Sequence, residues 1–514
     1  MFAVDPSSGA SRRLTDEPGV VHRWGLWLSD GSGVVCAANG RDRATFDVVR
    51  VAGDDRTRLY EHGGDSQITP VGWGPDTGRL LVLETRANGD ETLAVVETGS
   101  GTLTRVGTDE TDSRRLRSLA PAPGEDAVYA VTEHDSDRRG IYRIDLQNAQ
   151  TTPVVTTDAN LKSLSVDPDS GRVVYEREHD GTARLQTGML KDTTTVESLP
   201  EPALDSGYFG PIALGPDGER AAVVYYRGVA PPQVYTVELA TGETTQWTYL
   251  TNPSMTDDPP VPSSVRYDSD GVDVHGFHTT PSTDGPRPAI VYFHPGPTQQ
   301  AHRTFNPLRR YFVGEGYAYF EPNYRGSSGY GRRFRRLDHG EGRFDAVADA
   351  RRAVDWVADR PSVDDDRVVL LGHSYGGFLA LAAATTGAAV GATAALAPIT
   401  DFETFLQETE PWRRANREAE YGSLDDDRDL LRRLSPTDDL GNAACPLLFI
   451  HGTGDSTVPP TQSKRAVETA AEHDVDVNYE FLEGADHGLT ANDDRVAAFG
   501  RVAEFFDRHV GEDS

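Results

Sequence analysis

The sequence predicts two domains of different class, an N-terminal β-propeller and a C-terminal doubly wound α/β sheet of the hydrolase type. Three observations predict this. Gly/Pro/Asp punctuation recurs through the first half at the ~40–50-residue spacing of a four-stranded propeller blade. In the second half, buried β-branched runs alternate with helical runs, the pattern of a parallel sheet covered on both faces. The run Val368-Val-Leu-Leu-Gly-His-Ser-Tyr-Gly-Gly-Phe378 sets a serine in a Gly-x-Ser-x-Gly frame between such a strand and an Ala/Leu-rich helix. The domains are read as 1–250, a linker at 251–262, and 263–514. Each of the two is long enough for its own core.

The first-half markers are Leu28-Ser-Asp-Gly31, Gly74-Pro-Asp76, Ala122-Pro-Gly124, Asp167-Pro-Asp169 and Gly215-Pro-Asp-Gly218. An apolar strand follows each, as in Arg79–Glu84, Ala127–Val131, Arg172–Tyr175 and Ala221–Tyr225. A polar turn and a second strand come next, as in Gly140–Leu146 and Gln233–Leu239. Long helical runs are absent up to Tyr249. A small twisted sheet cannot bury its own faces, so these units must stack on one another. Met1 to Thr15 reads as the outer strands of a blade without its inner ones, so the propeller is read as shortened or incomplete. The linker Asn252–Pro262 is rich in Pro and Asp and should run extended and exposed. Strands at Ser263–Tyr267 and Val272–Phe277 open the second domain.

A serine hydroxyl needs a backbone that lifts it clear and a base that takes its proton. At Ser374 the strand–turn–helix elbow does the lifting. Gly372 and Gly376 remove the side chains that would hold strand and helix apart. Partners follow in the order Ser, acid, His. Leu447–His451 reads as a buried strand whose following turn presents Asp455. Val477–Leu482 alternates as a strand and runs into the loop Glu483–Gly488, which presents His487. Both candidates lie just past strand ends, where a parallel sheet gathers its active site. His487 would serve as general base to Ser374, and Asp455 would orient the imidazole. Competing readings stay open. Asp455 is also a turn-former or cap before Pro459-Pro460, Asp486 adjoins His487 in sequence, His451 reads as a structural hydrogen bonder, and His373 reads as support for the turn. For the oxyanion, the Tyr375 N–H follows the nucleophile and is one donor. The loop Pro295-Gly-Pro-Thr298 follows the strand Pro288–His294. Its prolines have no N–H, which leaves Gly296, unless the loop is only a rigid proline turn.

Tyr292-Phe-His-Pro-Gly-Pro297, Asn323-Tyr-Arg-Gly-Ser-Ser-Gly-Tyr-Gly331, Gly372-His-Ser-Tyr-Gly-Gly377, His451-Gly-Thr-Gly-Asp-Ser-Thr-Val-Pro459 and Asp486-His-Gly488 together resemble the prolyl oligopeptidase family, in its acylaminoacyl-peptidase-like branch. The resemblance covers Val265 to the C-terminus, about half the chain. It implies Ser374 as nucleophile, Asp455 as acid, His487 as base, and Tyr375 with Gly296 as the oxyanion hole. It also implies a propeller in front of the hydrolase domain. One departure stands out: His294-Pro-Gly-Pro297 replaces the family's His-Gly-Gly-Pro, which stiffens the loop and removes a donor at position 295. Arg325 lies under the site by this resemblance and reads as an ion-pair partner. Phe402, Phe405, Trp412 and Tyr421 read as core or lid packing. The glutamate pair that captures a free peptide N-terminus in the dipeptidyl branch is not evident.

The 514-residue chain carries a net charge of −31, with lysine confined to Lys162, Lys191 and Lys464. Such a surface repels nucleic acid and anionic membranes, and it resembles proteins of salt-loving archaea. Cys36 and Cys445 lie in different domains and lack metal-ligand spacing. No metal site, cofactor motif or secretion signal is read, and a cytoplasmic location follows. The acidic runs Asp364–Asp366 and Asp425–Asp427 read as solvated loops or helix starts. The expected activity is cleavage of short peptides or acyl-peptides through an acyl-enzyme. A carboxylesterase on the same triad, or an inert propeller binding protein, is the alternative reading. Oligomeric state is left open, a homo-oligomer included.

Overall fold

The computed structural model describes the chain apart from residues 6, 29–32, 64–65, 74–77, 87–90, 108–114, 123–125, 251–259, 283–284 and 512–514, and apart from the side chains of Trp24, Trp73 and Trp412. Most of the linker and three of the expected blade markers, in part or whole, fall outside the described residues. The described strands from Phe2 to Gln246 form one two-stranded hairpin and five four-stranded antiparallel sheets. The sheets span 22–60, 67–105, 116–155, 160–198 and 208–246.

Strand periodicity explains how these sheets stack. Along Arg79–Thr85, Leu80 and Val82 pack back onto Val35, Ala37 and Val48 of the preceding sheet. Leu81 points the other way, onto Leu116, Val128 and Ala130 of the next sheet. The same alternation continues. Tyr129 and Val131 meet Val173 and Tyr175, while Val174 meets Phe209, Ala221 and Val223. The three inner sheets, 67–105, 116–155 and 160–198, therefore bury both faces between neighbours, which a lone four-stranded sheet cannot do. The hairpin Phe2–Val4/Ser11–Arg13 is a partial blade on the outer face of the first sheet, where Leu14 and Ala3 join Val34, Cys36 and Val51.

From Ser263 an eight-stranded sheet takes over. Its spatial order is Ser263–Ser269, Val272–Thr279, Ala318–Pro322, Arg287–Phe293, Val363–His373, Ala392–Leu396, Leu447–Gly452 and Val477–Leu482. The first two strands pair antiparallel and the last six run parallel. Val368 and Leu370 face a core shared with the helices Arg343–Ala358 and Tyr375–Thr385. Val369 and Leu371 face a second core shared with Pro307–Gly314 and Asn492–Val510. Burial on both faces is why these strands read as unbroken apolar runs. The acidic run Asp364–Asp366 corrects one expectation, because it lies in the strand Val363–His373 and not in a loop or helix start. Pairing jumps there from Arg287↔Val363 to Ala289↔Val368, so the three residues bulge out of register toward solvent. Asp427, in contrast, is the N-cap residue of helix Arg428–Leu434.

Two neighbouring propeller sheets, 116–155 and 160–198, dock on two loops of the catalytic domain. Arg335 makes a two-armed ion pair with Glu133, with one arm Nη2–Oε2 at 2.8 Å and both side chains buried. The Gly329 carbonyl accepts from Asn160 Nδ2 at 2.5 Å and from Arg138 Nη1 at 3.0 Å. Gln300 Nε2 donates to Glu178 Oε1 at 2.7 Å. Burial opposes ionisation of Glu133, but the Arg335 hydrogen bonds and charge hold its carboxyl below the ordinary value. Removing one partner of a buried pair leaves a bare charge, at a cost of about 3–5 kcal/mol. Arg335→Met should therefore lower unfolding stability by roughly that amount, and Glu133→Leu with Arg335→Met should restore most of it. Denaturant titration of the wild type and the two variants checks this, and a double variant as unstable as the single one would contradict the ion-pair account.

Candidate active site

Strand Val363–His373 ends in a turn whose central residue, Ser374, has φ 58° and ψ −118°, a conformation that costs a side-chain-bearing residue energy. Close packing holds it there. A Cβ on Gly372 would lie 2.0 Å from the Gly376 carbonyl oxygen, and one on Gly376 would lie 2.0 Å from that of Phe293. No other residue fits either position without moving backbone. Ser374 N–H donates to Leu396 O at 2.8 Å, and helix Tyr375–Thr385 begins at the next residue. The partial positive charge of that helix N-terminus faces the serine.

The strand Leu447–Gly452 carries the chain into the turn of Asp455. This side chain is buried and fully engaged. Its Oδ1 accepts from the N–H groups of Thr457 at 2.7 Å and Val458 at 3.0 Å. Its Oδ2 lies 2.6 Å from His487 Nδ1 and 3.3 Å from His451 Nε2. Burial alone would raise the Asp455 pKa. The hydrogen bonds from His451, His487 and Val458 outweigh it and hold the carboxyl well below the usual carboxylate range. The loop after strand Val477–Leu482 brings His487 over the serine, with Nε2 3.0 Å from Ser374 Oγ. With Nδ1–H donating to Asp455, Nε2 is the nitrogen left to accept the serine proton.

The structure thus joins Ser374, His487 and Asp455, residues far apart in sequence, into one hydrogen-bonded chain. Asp486 is not part of it, because its carboxylate is turned to Thr490. Arg325 is buried against Asp349, with Nη2–Oδ1 at 2.6 Å, as an ion-pair partner should be. Phe402, Phe405 and Tyr421 are buried in the core beside Phe378 and Tyr375. The Trp412 side chain lies outside the described residues.

On the other side of the elbow, Phe293 pairs in register with Gly372. The loop that begins at His294 therefore runs alongside the serine turn, and Gly296 in it has φ +66°. Linear reading did not anticipate how this loop is held. The His294 ring is buried and stacked on Tyr324 at 4.3 Å, with Nε2 3.0 Å from Ser327 Oγ. The Tyr324 hydroxyl reaches the His294 carbonyl at 2.7 Å. Burial pushes the His294 pKa down to about 4, so the ring is a neutral strut. His451 is a structural hydrogen bonder, as its sequence position suggests: it donates from Nε2 toward Val458 O and Asp455, and accepts at Nδ1 from Ser463 Oγ at 2.7 Å. His373 reads in sequence only as support for the turn, but its ring lies against that of His487. No sequence signal marks that contact, because the two residues come from distant segments.

Residues 303–513 match the prolyl oligopeptidase family. Across 98% of the chain and 76% of the relative, the sequence is 24% identical to dipeptidyl aminopeptidase BIII of Pseudoxanthomonas mexicana. Over 44% of the chain it is 26% identical to acylamino-acid-releasing enzyme 1 of rice, Oryza sativa subsp. japonica, of which it spans only 30%. In fold, it superposes on a puromycin-hydrolyzing peptidase of Mycobacterium tuberculosis with a TM-score of 0.82 and 22% identity, over 99% of this chain and 83% of that one. The chain is therefore a serine peptidase in which a β-propeller precedes a domain that, over residues 303–513, matches the prolyl oligopeptidase family.

Proposed function

We propose that this peptidase hydrolyses short peptides, as an acylaminoacyl-peptidase or oligopeptidase, through an acyl-enzyme on Ser374. The observation that carries the proposal is the unbroken hydrogen-bonded chain from Ser374 Oγ through His487 to Asp455. Ser374 Oγ attacks the scissile carbonyl carbon while its proton passes to His487 Nε2. The carbonyl oxygen becomes an oxyanion facing the N–H groups of Tyr375 and Gly296. As the C–N bond breaks, His487 returns the proton to the departing amine. Water then gives a proton to His487 and attacks the acyl carbon. The acid product leaves and Ser374 regains its hydrogen. Asp455 stays ionised throughout and steadies the imidazolium.

Substrate size follows from the docked propeller. Its sheets contact the loops at 299–335, which adjoin the oxyanion loop, so the approach suits short or unfolded chains better than folded ones. The proteins it resembles are named as a dipeptidyl aminopeptidase, an acylamino-acid-releasing enzyme and a puromycin-hydrolyzing peptidase, which supports small substrates. The buried propeller carboxylates that reach these loops, Glu133 and Glu178, are held by Arg335 and Gln300. Capture of a free peptide amine therefore stays outside the proposal. No described helix is long and apolar enough to cross a membrane. The two cysteines are free and buried, which fits a reducing cytoplasm, and the acidic, lysine-poor surface fits a salt-rich one.

Two outcomes are expected. Asp455→Asn should keep the fold but lower kcat about 10⁴-fold by releasing the His487 tautomer, and Ser374→Ala should abolish labelling by a fluorophosphonate. Unlabelled wild-type protein in multimolar KCl would instead favour an inert binding module. Acylaminoacyl and prolyl p-nitroanilides should be cleaved in multimolar KCl, with activity falling as salt is withdrawn. Turnover of a p-nitrophenyl ester without amide cleavage would make the enzyme a carboxylesterase, and equal rates across the salt range would refute the halophilic reading.

A further inference from the structure

We propose that His373 is a positioning residue for the general base, which clamps the His487 loop to the nucleophile's own strand and offers the imidazolium a neutral ring. The inference rests on the triad reading above, in which His373 has no part.

His373 is the last residue of strand Val363–His373 and immediately precedes Ser374. Its ring lies against that of His487, with centroids 4.9 Å apart and planes tilted by 34°. Its Nε2 is 2.8 Å from the His487 carbonyl oxygen. A carbonyl only accepts, so Nε2 carries the hydrogen. One short backbone segment thus holds both reacting groups. Ser374 presents the hydroxyl, and the residue before it grips the main chain of the base. The His487 loop has other ties: Gly484 N–H to Thr453 Oγ1 at 2.8 Å, Thr490 to the Asp486 carboxylate, His487 Nδ1 to Asp455 at 2.6 Å, and Gly454 N–H to Ala485 O at 3.1 Å. None of these reaches the serine strand, as the His373 bond does. That matters for the 3.0 Å separation of Ser374 Oγ and His487 Nε2, because small misplacements of a reacting group are costly.

The chemistry of the ring fits the second half of the proposal. His487 becomes an imidazolium twice per turnover, and a second cation packed against it would oppose each step. The ionisable groups around His373 are His487 on the base loop, and Asp455 and His451 on the neighbouring strand and its turn. Burial pushes the His373 pKa down to about 4, with the neighbouring His487 acting in the same direction, so the ring stays uncharged wherever His487 works. A neutral π-face within about 6 Å attracts a cation.

Two substitutions separate the clamp from the ring. His373→Phe keeps an aromatic face and loses the donor. It should lower kcat on an amide substrate by ~10–10²-fold, with KM within about twofold and the acid limb of kcat/KM unmoved. His373→Gln keeps a donor and loses the ring. It should move the acid limb by about 0.5 pH unit toward lower pH, with a smaller loss of plateau kcat. The opposite pattern, or wild-type profiles for both at unchanged Tm, would overturn the inference. So would equal losses of kcat that follow Tm alone. If the Phe variant does not fold, the acid limb of the Gln variant decides. His487→Ala is the control. If it retains activity, the triad assignment fails and takes this inference with it. If it is inactive while both His373 variants behave as wild type, only the role of His373 falls.

Discussion

The active site depends on one steric constraint, the contact of bare backbone around the serine turn. Because a Cβ on Gly372 or Gly376 would land 2.0 Å from a backbone carbonyl oxygen, the strand that ends at His373, the elbow helix and the strand Arg287–Phe293 meet main chain to main chain. That contact keeps Ser374 at positive φ, points the helix N-terminus at it, and draws the loop of Gly296 alongside. Hydrogen bonds to Asp455 and His487 could not substitute for it. They act on side chains, and the strain they would have to maintain is in the backbone.

Around this contact the domain places neutral or internally compensated polar groups. His294 is wedged between Tyr324 and Ser327, and Arg325 is locked to Asp349. Arg343 is wholly buried between the rings of Tyr375 and Tyr421, near Asp338. Such groups add little net stability, because desolvation offsets the attraction between them. Their value is directional, since each fixes the orientation of a loop that a purely apolar core would leave free to repack. The imidazoles of His294 and His373 are held uncharged by burial on either side of the serine. The carboxylate of Asp455 is held charged by its donors. The contrast in environment matches the work each group does.

The propeller is more than a screen in front of the site. Its inner sheets bury both faces against their neighbours, so the loops at their rims are carried on a rigid stack. Those loops meet the catalytic domain at Gln300, Gly329 and Arg335. Gln300 lies four residues beyond Gly296, and Gly329 lies two beyond Ser327, which touches His294. Docking of one domain is thus continuous, through two short loops, with the walls of the other domain's site. Within the first half, the described ion pairs of Glu178 are at 3.7 Å, with Arg139 and Lys162, and Glu133 has its direct hydrogen-bonding arginine in the second half. Seen with the second half, they are the sockets of its loops.

Sequence by itself determined what depends on local pattern. Period-two apolar runs with turn punctuation declared the stacked sheets, and unbroken β-branched runs declared a sheet covered on both faces. The glycines flanking Ser374 declared an elbow, and strand ends declared where Asp455 and His487 would stand. Each of these follows from a few neighbouring residues, because backbone geometry fixes which way successive side chains point. Tertiary structure alone decided what depends on the meeting of distant segments. That His373 lies on His487 could not be read along the chain. Nor could the union of His294 with Tyr324, or the register jump that throws Asp364–Asp366 out of the sheet. A hydrogen bond or ring contact between distant residues leaves no periodicity in either segment, so only the folded chain contains the information.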